Sequence, residues 1–272
     1  MSFLENVDRK KLQQILLIVL VALVAVALVL LLVIIINSIS SGMSNLNSYT
    51  VTDKDFNSGS LILADDDNRY SYTFEDAELT VLGIYRDANL QKDANDKAIN
   101  KYYMNSQSQM RLTNDAAAAA HNLLVAAEGA VKKDDLLIAY TYGYNNADTQ
   151  EYNTAALMML TNYDGGALND EYRAWLDANC AKYGFIESFE DGYRYVGIPH
   201  AKYMTDKKLT LAAYIADLKK NTSADKMLEI KVGEETYSVY YIACNVGDEV
   251  KVPEGATISG TNEGGIIVTA KK

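Results

Sequence analysis

The chain has 272 residues, 49% hydrophobic and 22% charged, with 25 Lys and Arg against 36 Asp and Glu for a net charge of −11. This composition excludes bulk disorder and collagen-like repeats, and the acidic balance supplies no basic field for a nucleic-acid backbone. Two cysteines, Cys180 and Cys244, and two histidines, His121 and His200, exclude a disulfide framework and a four-thiolate zinc site and leave few options for a transition metal.

The first element is a run from Ile15 to Ile36, 22 residues without a polar side-chain atom. As a helix it spans roughly 33 Å, against about 30 Å of bilayer core. Ser38-Ile39-Ser40 offers a small-x-small cleavage site, but the run exceeds the roughly 7–15 residues of a signal-peptide core, so it reads as an uncleaved anchor. Arg9, Lys10 and Lys11 precede the run and the first charge after it is Asp53. Positive charge stays inside, so residues 1–14 are predicted cytoplasmic, 15–36 transmembrane and the remainder extracytoplasmic. That remainder carries 22 basic and 34 acidic side chains, which argues against adhesion to anionic headgroups beyond the anchor.

Residues 37–57, rich in Ser, Asn and Thr, read as a linker. A strand is predicted at Leu61–Ala64, followed by the acidic turn Asp65-Asp66-Asp67, which lacks the Gly and terminal Glu of a calcium loop. Thr113-Asn114-Asp115 precede a helix through Ala116–Ala127 that ends near Gly129. Leu136–Tyr140 reads as a continuous apolar strand, central in its sheet. Asn169 is a predicted cap for a helix from Asp170 to Tyr183, with Tyr172, Trp175, Leu176, Cys180 and Tyr183 on one face and Gly184 as its stop. Another helix is expected over Leu209–Lys219. Met227–Val232, Thr236–Ala243 and Gly265–Ala270 read as short strands of a small β appendix, residues 220–272, that packs on the domain of residues 58–219. Strands, helices and strands without βαβ alternation give an α+β class with helices and an antiparallel sheet.

Trp175-Leu176-Asp177-Ala178-Asn179-Cys180-Ala181-Lys182-Tyr183-Gly184-Phe185, with Arg194-Tyr195-Val196-Gly197-Ile198-Pro199-His200-Ala201, resembles the zinc D-alanyl-D-alanine carboxypeptidases of VanY type. The resemblance implies their fold and a bacterial cell membrane as the location. It also implies zinc held by two His and one Asp, with a Glu acting on the bound water. Carried onto this chain, the first two ligands fall on Tyr152 and Met159, the third on Gly192 and the base on Phe189. A shift of one residue brings Glu190 to the base position instead. A phenol and a thioether are poor zinc donors, so zinc is expected to be lost and the catalytic residues to be none. The reading that follows is a catalytically silent, membrane-anchored pseudo-carboxypeptidase that binds an extracytoplasmic protein or a peptidoglycan stem peptide. Its alternatives are an active metallo-carboxypeptidase with a non-standard ligand set and a structural subunit of an envelope complex. Tyr140, Tyr142, Tyr144 and Tyr152 are candidate contact residues, because tyrosine suits protein surfaces; the alternative is that their rings fill space left by loops that the resembled enzymes have and this chain lacks. Arg194 is the candidate cation for a terminal carboxylate. His200 is read as a packing residue and Cys180 as a buried thiol, its pairing with Cys244 left open.

Overall fold

The computed structural model describes residues 9–43, 46–81, 110–131, 136–142, 150–162 and 166–272. Residues Met1–Leu46 and Asn47–Lys272 form two separate units. The first is α1, Arg9–Met43, 35 residues long. Within it Gln13–Leu31 is long and apolar enough to cross a membrane. The side chains of Gln13–Leu31 are exposed, Leu16 at 70%.

The second unit begins inside the stretch read as a linker, which carries ordered structure. β1, Leu46–Thr50, pairs with β10, Glu249–Pro253. α2, Asp53–Asn57, opens on a capping box in which Thr52 accepts from the Asp55 backbone N–H and the Asp55 carboxylate accepts from that of Thr52. The strand expected at Leu61–Ala64 is a buried irregular segment outside any sheet. Its hydrogen bonds run to the far end of the chain: Leu61 N–H to Ser259 Oγ at 2.9 Å and Leu63 N–H to the Thr261 carbonyl at 3.0 Å.

β2, Leu79–Val81, pairs antiparallel with β3, Arg111–Thr113, which leads into α3, Asn114–Val131. The Asn114 side chain crosses to Thr80 Oγ1 and the Ala77 carbonyl and so ties β2 to the helix start. The central sheet is antiparallel in the order β4-β5-β7-β6, built from Leu137–Tyr140, Leu157–Thr161, Gly192–Tyr195 and Phe185–Phe189. β4, expected to be central, lies at an edge. Its apolar run reflects burial of its start, where Leu136 is fully enclosed, and not its place in the order.

One face of this sheet packs on α3 and on α4, Asp170–Asn179. Leu112, Leu123, Leu136, Met158, Leu160, Tyr172, Leu176, Phe185 and Tyr193 form that core. Asn169 caps α4 as the sequence predicts, its Oδ1 accepting from the Tyr172 N–H at 3.0 Å. The last predicted turn is a 3₁₀ helix, Cys180–Tyr183, ended by Gly184 at φ +84°.

Two helices follow. α5, Ile198–Lys207, has Pro199 in its first turn and was not anticipated; α6, Leu211–Asn221, is capped by Thr210. A second antiparallel sheet, β11-β12-β9-β8, comprises Thr257–Gly260, Ile266–Lys271, Glu235–Ile242 and Leu228–Val232. Ile230, Val239 and Ile267 of this sheet share a core with Leu63, Ile186, Met204, Tyr214 and Leu218. The appendix is thus continuous with the preceding domain through buried side chains. Cys180 and Cys244 are both free thiols.

Candidate functional site

The positions that the sequence pattern singles out are spread over residues 152–192 and meet on the central sheet. β5 alternates: Met158 and Leu160 point into the core beneath α3 and α4, while Met159 is half-buried on the other face. Across the strands Tyr140 stands opposite Met159, Met159 opposite Gly192 and Gly192 opposite Phe189. Cross-strand partners share a face, so these four residues make one row across the whole sheet.

The row is closed by aromatic packing. A Cβ at Gly192 would lie 2.4 Å from the ring of Phe189, so that ring covers the Gly192 backbone. Tyr152 sits in a 3₁₀ turn, Gln150–Thr154, just before β5. Its buried ring meets Phe189 edge-on with centroids 6.4 Å apart. Beside the rings lies a polar pair, in which Ser188 Oγ donates to the Glu151 carboxylate at 2.7 Å.

Arg194, on β7 two residues after Gly192, is fully buried. Its guanidinium donates to Thr154 Oγ1 at 2.6 Å and to the carbonyls of Ile62 and Ser60 at 3.1 and 3.2 Å. Desolvation lowers its pKa, opposed by the charge of Glu151. The sequence offered Arg194 as a cation for a substrate carboxylate. The structure commits its guanidinium to the chain's own carbonyls, where it pins the segment around Ser60 and Ile62 to β7.

The tyrosines separate in the same way. Tyr140 is half-exposed in the row, Tyr142 packs its ring against Phe74 at 5.5 Å, and Tyr152 is enclosed. Tyr144 lies outside the described residues. Sequence reasoning missed the other half of this packing, the ladder Tyr70–Tyr72–Phe74 with centroid spacings of 6.4 and 5.0 Å. The alternation of aromatics at 70, 72 and 74 was its available signal.

The acidic residues nearby are engaged too. Glu190 and Asp191 form the two-residue turn between β6 and β7, Asp191 at φ +60°. Asp191 is buried and receives Arg173 at 3.1 Å and the Leu168 N–H at 3.3 Å, and exposed Glu190 meets the same Arg173 at 3.2 Å. Glu190 therefore stands in the turn, past the row of Phe189 and Gly192.

No protein-family model matches the chain. A D-alanyl-D-alanine carboxypeptidase of Enterococcus faecium is 26% identical over 265 residues, covering 85% of this chain and 81% of that protein. The chain resembles the VanY-type D-alanyl-D-alanine carboxypeptidases. Its fold is similar to that of the vancomycin-resistance D,D-dipeptidase VanXYg, solved with a D-Ala-D-Ala phosphinate analogue, with a TM-score of 0.61, 15% identity and 84% and 99% of the two chains covered. The D,D-pentapeptidase VanY of a VanB-type resistance cassette, solved with Zn(II), matches with a TM-score of 0.39 at 18% identity over 57% of this chain and 98% of its own. The expectation of a non-enzyme is corrected by these findings: the curated relative, aligned along nearly the whole of both proteins, is named a carboxypeptidase, which points to an enzyme.

Zinc requires three protein donors at about 2.0–2.3 Å. The residues present do not fit it. At the four implied positions stand a phenol, a thioether, a phenyl ring and a hydrogen, and among the described residues no group of three His, Cys, Asp or Glu could hold a metal. His200 is enclosed between Tyr214 Oη at 2.8 Å and Thr269 Oγ1 at 3.0 Å.

Proposed function

We propose that this chain is a bacterial cell-envelope peptidase that removes the terminal D-alanine of peptidoglycan stem peptides. In this proposal α1 anchors it in the membrane, with the N-terminus cytoplasmic and Asn47–Lys272 outside. The observation that carries the reading is the alignment with a named carboxypeptidase over 85% of the chain. The shared fold and the Trp175–Phe185 and Arg194–Ala201 segments support it. No step is routed through zinc, because the donors do not fit. The carboxylate that the site offers for proton transfer is Glu151, one residue before Tyr152 and held by Ser188.

The test is release of D-alanine from a stem pentapeptide ending in D-Ala-D-Ala by the full chain in detergent. Release above the protein-free control is expected, and Glu151→Gln should lower it by about 100-fold or more, the usual worth of a positioned acid–base group. A folded chain that releases no D-alanine would overturn the reading. Protease digestion of intact spheroplasts checks the topology: the folded region should be cut from outside while the N-terminus stays protected.

A further inference from the structure

We infer that the place where the resembled family's pattern puts zinc is, in this chain, a closed aromatic and thioether row that binds no zinc, so that its chemistry does not depend on that metal. The inference rests on the proposed function for what the site does, and on geometry for what fills it. The four positions fall in two separate segments, 152–159 and 189–192, that could have lain apart in the fold, which would make the missing ligands an accident of alignment. They do not scatter. Met159, Gly192 and Phe189 are successive cross-strand partners on β5, β7 and β6, and the Tyr152 ring reaches Phe189. The geometry that could gather three ligands is therefore present, and the donors are not.

The row is also shut sterically. The Phe189 ring occupies the space into which any side chain at position 192 would grow, with three of its carbons 2.4–2.7 Å from the Cβ that position would carry. A metal there would need that ring to leave, and would then meet Met159 sulfur and the Tyr152 phenol, a donor pair ill-suited to a borderline cation. Neither histidine is in reach of this role: His121 lies on α3 and His200 is bonded at both ring nitrogens elsewhere. Restoring donors at one position should fail because of the ring, whereas restoring them together should succeed because the positions converge.

The experiment measures metal content by elemental mass spectrometry on the full chain in detergent, after expression in zinc-replete medium and dialysis. Wild type should retain less than about a tenth of a zinc per chain, and Gly192→His alone should do no better. The combined variant Tyr152→His, Met159→Asp, Phe189→Glu and Gly192→His should gain about one zinc per chain. Should that variant not fold, Tyr152→His with Phe189→Ala and Gly192→His gives two imidazoles and an opened row, with zinc uptake expected above wild type. One tightly held zinc in wild type would overturn the inference, as would a folded multiple variant, native by circular dichroism, that takes up none. D-alanine release abolished by EDTA and restored by zinc would overturn it too. Absence of release with no zinc bound counts instead against the proposed function, so the two failures are distinguishable.

Discussion

His200 is held at both ring nitrogens, by Tyr214 from α6 and Thr269 from β12, and burial drives its pKa down to about 3. Between that value and the ordinary 6.5 the unfolded chain takes a proton that the folded chain refuses, so the unfolded state binds more protons and stability falls as pH drops. The slope has a ceiling of about 1.4 kcal/mol per pH unit from this one group. Urea unfolding at pH 7 and pH 4.5 should show this loss, and His200→Asn, less stable at pH 7, should show a shallower dependence. A dependence unchanged in the variant would mean other groups set it. The sequence already marked His200 as a packing residue, from its place beside Pro199 in a segment shared with a known scaffold. Arg194 was a candidate cation by its place in the matched segment, whose role in the resembled family looks structural, and only the three-dimensional return of Ser60 and Ile62 to β7 reveals which backbone carbonyls take its donors.

Elements whose ends carry their own chemistry were legible. The Asn169 cap and the Gly184 stop located α4 and its 3₁₀ extension, because capping and positive φ are local properties. α5 was not anticipated although Gly197 at its cap and Pro199 in its first turn mark its start. The apolar run Leu61–Ala64 reports burial correctly without being a strand; its partners are side chains and loop carbonyls that local pattern cannot display. The junction between α2 and β11 gives an element-scale prediction. A Cβ at Gly260 would stand 1.9 Å from the Phe56 carbonyl oxygen, and backbone cannot swing aside as a side chain does. Gly260→Ala should therefore cost about 1–3 kcal/mol by overpacking, read as a lower urea midpoint with unchanged slope. A change smaller than about 0.5 kcal/mol would show that α2 is loosely seated.

At the scale of the molecule, the architecture was legible and the site was not. Periodicity and turn residues carry the class, and the two matched segments carry the resemblance, because scaffold sequence is read residue by residue. A site is a convergence, and sequence could name Tyr152, Met159, Phe189 and Gly192 without knowing that they form one row or that a ring fills it. The marginal size of the appendix did indicate that it packs on the preceding domain, with which it shares a core. Because Ile230, Val239 and Ile267 complete the core around Tyr214 and Leu218, a chain truncated after Asn221 should be open to limited proteolysis throughout Asn47–Asn221, not merely at its new end. A truncated form as protease-resistant as the full chain would show that the preceding domain folds alone.

The bond from Leu61 to Ser259 joins residues 198 apart, and it sets a timetable. At synthesis rates of about 5–20 residues per second, roughly 10–40 s separate the emergence of the two partners. Throughout that interval the segment after α2 has a buried destination and its partner strand is not yet made. The nascent protein must therefore wait, unfinished at its beginning until its end arrives, and protection of that early segment becomes a requirement of biogenesis distinct from anything the finished fold needs.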